Sequence, residues 1–332
     1  MQQIGNTVVA KNGRYPPAPQ PTIYFLGVTT GRSSIMKVFP EWAKALNLRE
    51  AVIRGIDFPP HAEPAAYRLA VEHIRRDPLS QGALVTTHKI DLLKACRDLF
   101  DELDPYAQLM GEISCISKQG GRLIGHAKDP ITSGLALEAF LPAGYWRGSG
   151  AEVLVLGAGG SSIAITSYLV KPEHGANRPS RITVTNRSQP RLAEIRHIHE
   201  QLASGVPCEY HHCPRPEDND RLVDRLPAGS LVMNATGLGK DGPGSPITSA
   251  ARFPQDGIAW DFNYRGNLVF LDQARAQQQT RNLRVEDGWV YFVHGWTHVI
   301  AEVFHVDIPC RGPFLMTCAA SPQPHDRRQG LT

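Results

Sequence analysis

Residues 153–162 have the sequence VLVLGAGGSS, and this stretch decides the fold. Its first four residues are apolar and uncharged, which is typical of a strand buried on both faces of a parallel sheet. A glycine turn follows directly, and after it comes the apolar helical pattern of Ile163, Ile165 and Leu169. Such a turn lets the backbone close on a pyrophosphate, to which the helix start offers free N–H groups. We therefore predict a dinucleotide site at Gly157, Ala158, Gly159, Gly160 and Ser161, with Ser162 in place of the third glycine of GxGxxG.

The next strand predicts which dinucleotide binds. Residues 181–188 have the sequence RITVTNRS and form the second strand of a βαβ unit. An NAD-binding unit usually carries an acidic residue at this strand's end, for the ribose 2′-OH. Here the end carries Asn186, Arg187 and Ser188 instead. A guanidinium holds a 2′-phosphate in a bidentate grip and a hydroxyl adds a donor, so the predicted cofactor is NADP(H).

Composition limits the other possibilities. The chain has 332 residues, a net charge of +3 and six scattered cysteines. The length suggests about two domains, and the charge is too small to favour nucleic acid or an anionic membrane as a partner. No apolar run reaches the ~18 residues of a membrane span, and the N-terminus has no signal-peptide pattern. We expect reduced cysteines, a cytoplasmic location, a small-molecule substrate, and a monomer or homodimer.

Strands and helices alternate both before and after the glycine turn, which predicts an α/β fold of two domains. Residues 21–130, with about 290–320, are predicted to form an N-terminal substrate domain to which the last helices return. Residues 131–289 are predicted to form a Rossmann-type NADP-binding domain. Residues 1–20 and 321–332 are polar and rich in proline or charge, and are predicted to be disordered.

A later strand of the nucleotide domain, residues 230–235, ends in a second glycine-rich turn. Ligands of such sheets sit outside the carboxyl ends of the strands. We therefore expect this turn to contact the cofactor through Asn234, Ala235, Thr236, Gly237 and Gly239.

Two residues before the glycine turn carry the chemical hypothesis. Lys89 closes an apolar strand in the sequence VTTHK, and Asp129 follows GHAK at the link into the second domain. Removing a hydride from an alcohol also requires a base for the hydroxyl proton. A lysine oriented by a carboxylate can supply that base, although composition alone does not pair two residues forty positions apart.

Seven short motifs in one order resemble the shikimate/quinate dehydrogenase family over roughly residues 22–305. VTTHK resembles its strand-end lysine motif, GHAKD its G-x-N-T-D, and VLVLGAGGSS its glycine loop. TNRS resembles its NADP-discriminating Asn-Arg-Ser/Thr, and MNATGLG its N-A-T-x-x-G. WDFNYRG resembles its D-x-x-Y, and FVHGW its late Q-G. The resemblance implies a dehydrogenase, of the kind that serves aromatic amino acid biosynthesis, in which Lys89 transfers the proton and Asp129 assists it.

The departures from the family pattern bear on the substrate. Of the serines that grip the substrate carboxylate in the family, only Ser34 has a match, and Arg32 is an alternative holder. Ser114 stands for one asparagine of the family and His294 for the late glutamine, whereas Tyr264 is retained. Ala83 and Ala127 replace two further asparagines, and alanine cannot bond ring hydroxyls. We therefore expect a related cyclic hydroxy acid rather than shikimate itself.

Other interpretations stay open at this stage. Cys208, His211, His212 and Cys213 have metal-capable side chains, but strand alternation turns His212 away from His211 and Cys213, so we predict no metal site. His88 beside Lys89 is predicted to be structural. A non-catalytic sensor that kept the fold to bind a hydroxy acid or the nucleotide is the alternative function, favoured by the missing asparagines.

Overall fold

The computed structural model describes residues 7–48, 50–240 and 242–320. Within them the strands are β1 Thr22–Gly27, β2 Val52–Asp57, β3 Ser80–Val85, β4 Glu102–Leu103, β5 Cys115–Gln119, β6 Arg122–His126, β7 Val153–Leu156, β8 Ile182–Asn186, β9 Cys208–His212, β10 Leu231–Asn234, β11 Ile258–Asp261 and β12 Arg284–Glu286. The helices are α1 Ile35–Ala45, α2 Pro64–Arg76, α3 Lys89–Cys96, α4 Pro105–Met110, α5 Asp129–Glu138, α6 Gly160–Leu169, α7 Gln189–Leu202, α8 Pro216–Val223, α9 Val269–Arg275, α10 Gln278–Arg281, α11 Trp289–Phe304 and α12 Pro313–Ala319.

The chain divides into two compact units. The first takes the described residues up to Lys128 together with those from Gly295 onward, so the end of the chain returns to it. The second is the continuous segment Asp129–His294. Each unit contains one sheet, and helices alternate with strands in both. No helix in the described part of the chain has the length and apolarity that crossing a bilayer requires.

The first unit has a mixed sheet with the strand order β2-β1-β3-β5-β6-β4. Strands β2, β1 and β3 are parallel, whereas β5 runs antiparallel to both β3 and β6. Gly120 and Gly121 close the β5–β6 hairpin. Both have positive φ angles, +56° and +80°. A two-residue turn of this kind requires that conformation at both positions, which explains the glycine pair.

The second unit has an entirely parallel sheet with the order β12-β11-β10-β7-β8-β9. This is the strand order of dinucleotide-binding folds, and the order reverses between β7 and β10. Strands β7, β10 and β11 are buried at every residue. For β7 the apolar sequence predicted this burial. The α/β class and the Rossmann-type second unit predicted from the sequence are therefore confirmed.

Two predictions about local structure were wrong. Lys89 does not close a strand, because β3 ends at Val85 and Lys89 is the first residue of α3. Thr87, with φ +63°, turns the chain between the two elements. The prediction that residues 1–20 are disordered is wrong for residues 7–20. The Val8 amide donates to Gly55 O at 2.7 Å, and the Ala18 amide donates to Asp77 Oδ2 at 2.7 Å. Residues 1–6 and the predicted disordered tail, residues 321–332, lie outside the described residues.

His88, by contrast, has the structural role that the sequence predicted. It is 1% exposed, and its Nδ1 lies 2.9 Å from the hydroxyl of Tyr67. Its ring contacts Phe58 edge-on, with the centroids 5.5 Å apart. Burial lowers the pKa of His88, so the ring is held neutral inside the first unit.

Helices α5 and α6 pack closely in the second unit because Gly134 has no side chain. A Cβ at this position would overlap the ring of Tyr168, whose hydroxyl donates to Glu138 on the same helix as Gly134. The overlap involves the body of the ring rather than a flexible chain end. Gly134 thus sets how near the two helices approach.

We expect Gly134→Ala to lower the free energy of unfolding by about 1–3 kcal/mol, which is the usual cost of overpacking. The intrinsic helix preference for alanine, about 0.5–1 kcal/mol, acts in the opposite direction. Urea unfolding measures the difference. The double variant Gly134→Ala/Tyr168→Ala is the control, because truncating the ring removes the overlap and the two changes should not be additive. A single variant as stable as the wild type would contradict this packing.

Candidate functional site

The glycine turn after β7 has a backbone that only glycine tolerates. Gly157 has φ +116°, and a Cβ there would lie 2.9 Å from the carbonyl oxygen of Ala235. Its amide donates to Thr185 O at 2.9 Å. The ends of β7, β8 and β10 therefore meet at this one residue.

The start of α6 leaves open space where an anion would approach. A Cβ built on Gly159 would meet no atom within 4 Å. Ser162 is 0% exposed, and its hydroxyl donates to Gly157 O at 2.8 Å, which ties the turn to the helix. Gly160 and Ser161 are half-buried in the first turn of α6. The free N–H groups of a helix start suit a phosphate at this position.

The turn after β10 is held by the side chain of Asn234. This residue is 0% exposed, and its Oδ1 accepts hydrogen bonds from the amide and the hydroxyl of Thr236, at 3.1 and 2.6 Å. The Thr236 hydroxyl in turn accepts from the Leu238 amide at 3.2 Å. Asn263, on the neighbouring segment, donates its Nδ2 to Thr236 O at 3.0 Å. The Asn234 side chain thus fixes the conformation of the turn after β10.

Asp261, at the end of β11, is the buried anchor of this network. Its Oδ1 accepts from the Asn263 amide at 2.8 Å, and its Oδ2 accepts from Asn234 Nδ2 at 3.1 Å. Burial raises the pKa of Asp261 from 3.8 to about 7, although these donors act in the opposite direction. The sequence contained Asp261 in the D-x-x-Y motif but did not indicate that it supports the turn after β10.

These strand ends enclose a cavity of ≈ 700 Å³ within the second unit. Of the predicted cofactor residues, those that line it are Gly157, Ala158, Gly159, Asn186, Arg187, Ala235, Thr236 and Gly237. The other predicted cofactor residues do not line the cavity but lie close to lining residues along the chain. They are Gly160, Ser161, Ser188, Asn234 and Gly239. Two further segments, residues 213–216 after β9 and residues 242–246, also line the cavity and were not predicted from the sequence.

Residues at the end of β8 lie along one side of this cavity. Asn186 and Ser188 are half-buried, and the Ser188 amide donates to Asn186 Oδ1 at 3.2 Å. Arg187 is exposed, and its backbone oxygen lies 3.1 Å from His212 Nε2. The described residues that line the cavity include no carboxylate.

In the first unit, Lys89 is half-buried at the start of α3, and its carbonyl oxygen accepts the Ile113 amide at 3.3 Å. Ser34 is 8% exposed immediately before α1, and Arg32 is exposed in the short turn before it. Ser114 is buried, and its hydroxyl accepts the Lys128 amide at 2.9 Å. The structure therefore gives Ser114 a role in holding the chain next to Asp129.

The other predicted residues belong to the second unit. Asp129 is 9% exposed and begins α5. Tyr264 is half-buried, with its ring centroid 4.6 Å from that of Phe292 and 5.5 Å from that of Trp289. His294 is buried on α11.

A half-buried charge cluster in the first unit was not predicted from the sequence. Lys128 Nζ donates to Glu302 on α11 at 2.6 Å, and His126 Nε2 lies 3.4 Å from the same carboxylate. His126 Nε2 is also 2.8 Å from the Ser117 hydroxyl. Burial would raise the pKa of Glu302, but the bond from Lys128 and the nearby His126 hold it below its usual value. The cluster fixes the chain directly before Asp129.

The metal-capable side chains on β9 do not converge. His211 Nε2 lies 3.2 Å from Glu209, and His212 is directed to the backbone of Arg187. Throughout the described ranges, no group of three or more His, Cys, Asp or Glu side chains could hold a metal ion. All six cysteines of the sequence are free thiols.

Comparison with known proteins confirms the resemblance seen in the motifs. A shikimate dehydrogenase (NADP(+)) from Streptococcus thermophilus is 29% identical over 211 residues, which are 63% of this chain and 67% of that protein. Shikimate 5-dehydrogenase from Thermus thermophilus, solved in complex with NADP(H) and shikimate, has a TM-score of 0.65 at 23% identity and covers 90% of this chain and 98% of its own. Quinate dehydrogenase from Corynebacterium glutamicum, in complex with NAD, has a TM-score of 0.70 at 17% identity, with coverages of 90% and 97%. No protein-family model matches the chain.

We expect the buried carboxyl of Asp261 to make stability depend on pH. The folded unit binds this proton more tightly than the unfolded chain, because burial disfavours the charge. The stabilisation is present below about pH 4 and is lost as the pH rises through about 7. Its size is a few kcal/mol, since one pKa unit is about 1.4 kcal/mol.

Asp261→Asn removes this titration and leaves all other groups in place. Urea unfolding, followed by tryptophan fluorescence at about pH 5 and about pH 8, should show the wild type losing stability relative to the variant at the higher pH. The constant cost of the substitution cancels in that comparison. An equal difference between the two proteins at both pH values would show that Asp261 does not titrate in this range.

Proposed function

We propose that this chain is an NADP-dependent dehydrogenase that interconverts a secondary alcohol and a ketone on a cyclic hydroxy acid related to shikimate or quinate. The second unit would bind NADP and the first the substrate. The observation that carries the proposal is the cavity at the ends of β7, β8 and β10, which has a glycine cradle and arginine side chains but no carboxylate among the described lining residues. The names of the similar proteins agree with this chemistry.

The residues of the cavity fit a phosphorylated dinucleotide. Gly159 leaves room for a pyrophosphate at the start of α6, and Gly157 brings the turn against Ala235. Arg187 stands where an NAD-binding unit would carry an acid for the ribose hydroxyls, which favours a 2′-phosphate. When bound, NADP supplies the hydride carrier that the side chains of this chain lack.

Lys89 would handle the proton of the reaction. In the oxidation direction its neutral amine accepts the hydroxyl proton as the carbonyl forms, and in reduction the ammonium returns it. The carboxylate of Asp129 would orient the substrate hydroxyl and the ammonium. Lys89 begins α3, and its carbonyl oxygen accepts a hydrogen bond from the Ile113 amide, which helps to hold its backbone in place.

The substrate contacts are proposed from the chemistry of the side chains. Ser34 and Arg32 suit a carboxylate, and Tyr264 and His294 suit hydroxyl groups. The Ser114 hydroxyl already accepts the Lys128 amide, so it has less capacity for a substrate hydroxyl than a free asparagine. Ala83 and Ala127 are fully buried and offer no side-chain hydrogen bond. These positions favour a relative of shikimate with a different hydroxyl pattern. The cytoplasmic location and the monomeric or homodimeric state stay predictions.

Substituting the proposed proton carrier should stop turnover without preventing cofactor binding. We expect Lys89→Met to lower kcat by roughly 10²–10⁴-fold, which is the usual share of general acid–base catalysis. The measurement follows NADP⁺ reduction by absorbance at 340 nm with shikimate, quinate and deoxygenated relatives.

Lys94→Met is the matched control, because Lys94 is an exposed lysine on the same helix. It should leave turnover unchanged. Saturable binding of the acids with no turnover by the wild type across the panel would support a non-catalytic sensor instead.

The cofactor preference should depend on Arg187. We expect Arg187→Ala to weaken NADP⁺ binding by about 10–100-fold, the contribution of a charge-assisted hydrogen-bond pair, and to leave NAD⁺ binding unchanged. Dissociation constants from isothermal titration calorimetry measure both. Arg275→Ala, at an exposed arginine paired with Asp272 on α9, is the control. Equal losses for the two cofactors would show that Arg187 does not recognise the 2′-phosphate.

A further inference from the structure

The side of the cavity at the ends of β8 and β9, where the adenosine of the proposed nucleotide would lie, contains two arginines rather than one. Among the described residues that line it, the charged side chains are Arg187, after β8, and Arg215, after β9. The sequence motif contained only the first of them. Two like charges that face the same space repel each other. A cavity wall that binds no ligand would therefore gain nothing from a pair of arginines.

The parallel pairing of β8 and β9 brings these two segments together. Asn186 pairs with His212 in the register, and the Cys213 amide donates to Asn186 O at 2.9 Å. Neighbouring strands of a sheet lie about 4.8 Å apart. Arg187 therefore follows the end of one strand and Arg215 follows the end of the next, at the same edge of the sheet.

Arg215 is held at this edge by Asp218. The Arg215 amide donates to Asp218 Oδ2 at 3.2 Å, and its guanidinium lies 3.5 Å from Asp218 Oδ1. The same carboxylate also accepts a bond from Arg221. One negative charge is thus shared between two guanidinium groups, so Asp218 does not neutralise both of them. The flanking residues Pro214 and Pro216 restrict the backbone on both sides.

NADP and NAD differ by one phosphate, which NADP carries on the 2′ oxygen of the adenosine ribose. A phosphate monoester carries about −1.5 to −2 charges at neutral pH and three acceptor oxygens, so a single guanidinium neutralises it only in part. A ribose with free hydroxyls has no charge for a second arginine to neutralise. A pair of arginines therefore selects for the 2′-phosphate more strongly than either arginine alone.

We propose that Arg215 is a second 2′-phosphate-binding residue, which acts with Arg187 to select NADP over NAD. This inference rests on the proposed function, because it requires that the cavity binds the nucleotide. It adds a specificity-determining residue on β9–α8 that the Asn-Arg-Ser motif does not contain.

The test compares Arg215→Gln with Arg221→Gln. Both remove an exposed arginine bonded to Asp218, but only Arg215 lines the cavity. Calorimetry with NADP⁺, NAD⁺, 2′,5′-ADP and 5′-AMP gives the dissociation constants. We expect Arg215→Gln to raise the constants for NADP⁺ and 2′,5′-ADP about tenfold, and to change those for NAD⁺ and 5′-AMP less than twofold. Arg221→Gln should resemble the wild type with all four.

The outcomes separate this inference from the function on which it rests. If the wild type binds neither NADP⁺ nor NAD⁺, the proposed function is wrong and this inference with it. If NADP⁺ binds and Arg187→Ala loses the preference while Arg215→Gln and Arg221→Gln behave alike, only the role of Arg215 is overturned. Equal losses for NADP⁺ and NAD⁺ in Arg215→Gln would likewise overturn it, because they would indicate damage to the cavity wall.

Discussion

The close approach of Gly157 to Ala235 is the constraint on which the cavity of the second unit depends. It lies between β7 and β10, where the strand order of the parallel sheet reverses, and helices leave the two strands in opposite directions at such a point. The gap that results is filled by turns rather than by a helix. Because Gly157 has no side chain, the two turns can meet and still leave open space above Gly159. The cavity is therefore a consequence of topology, and the glycine makes that topology possible.

A second layer of residues keeps these turns in place without lining the cavity. Asp261 bonds Asn234 and the Asn263 amide, and Asn234 bonds Thr236. A carboxylate that is 0% exposed is costly to bury, and fixed amide donors offset part of that cost. The arrangement gives the turn after β10 a defined shape before any ligand arrives. Lys128 and Glu302 have a comparable role in the first unit, where they fix the chain next to Asp129.

The sequence predicted those features that depend on neighbours along the chain. The glycine turn after β7 and the alternation of strands and helices are local patterns, and the structure has them. The sequence did not predict contacts between distant segments. The Ser114 hydroxyl accepts an amide fourteen positions away, and the N-terminal segment pairs with Gly55, although its composition resembles that of a mobile chain. Arg215 was missed for the same reason, since its place beside Arg187 follows from strand pairing rather than from a motif.

The division of the chain into two units determines the order in which the units can be completed during synthesis. The second unit is one continuous segment, Asp129–His294, whereas the first needs residues from Gly295 onward, which leave the ribosome after that segment. Trp296 packs on Phe25, with the ring centroids 5.0 Å apart, and Glu302 pairs with Lys128, so the earlier residues lack these partners until then. Translation adds about 5–20 residues per second and domains generally fold as units. The first unit is thus completed after the second, although most of it is translated earlier. The apolar surface of its earlier part must stay soluble for roughly 8–33 s in between.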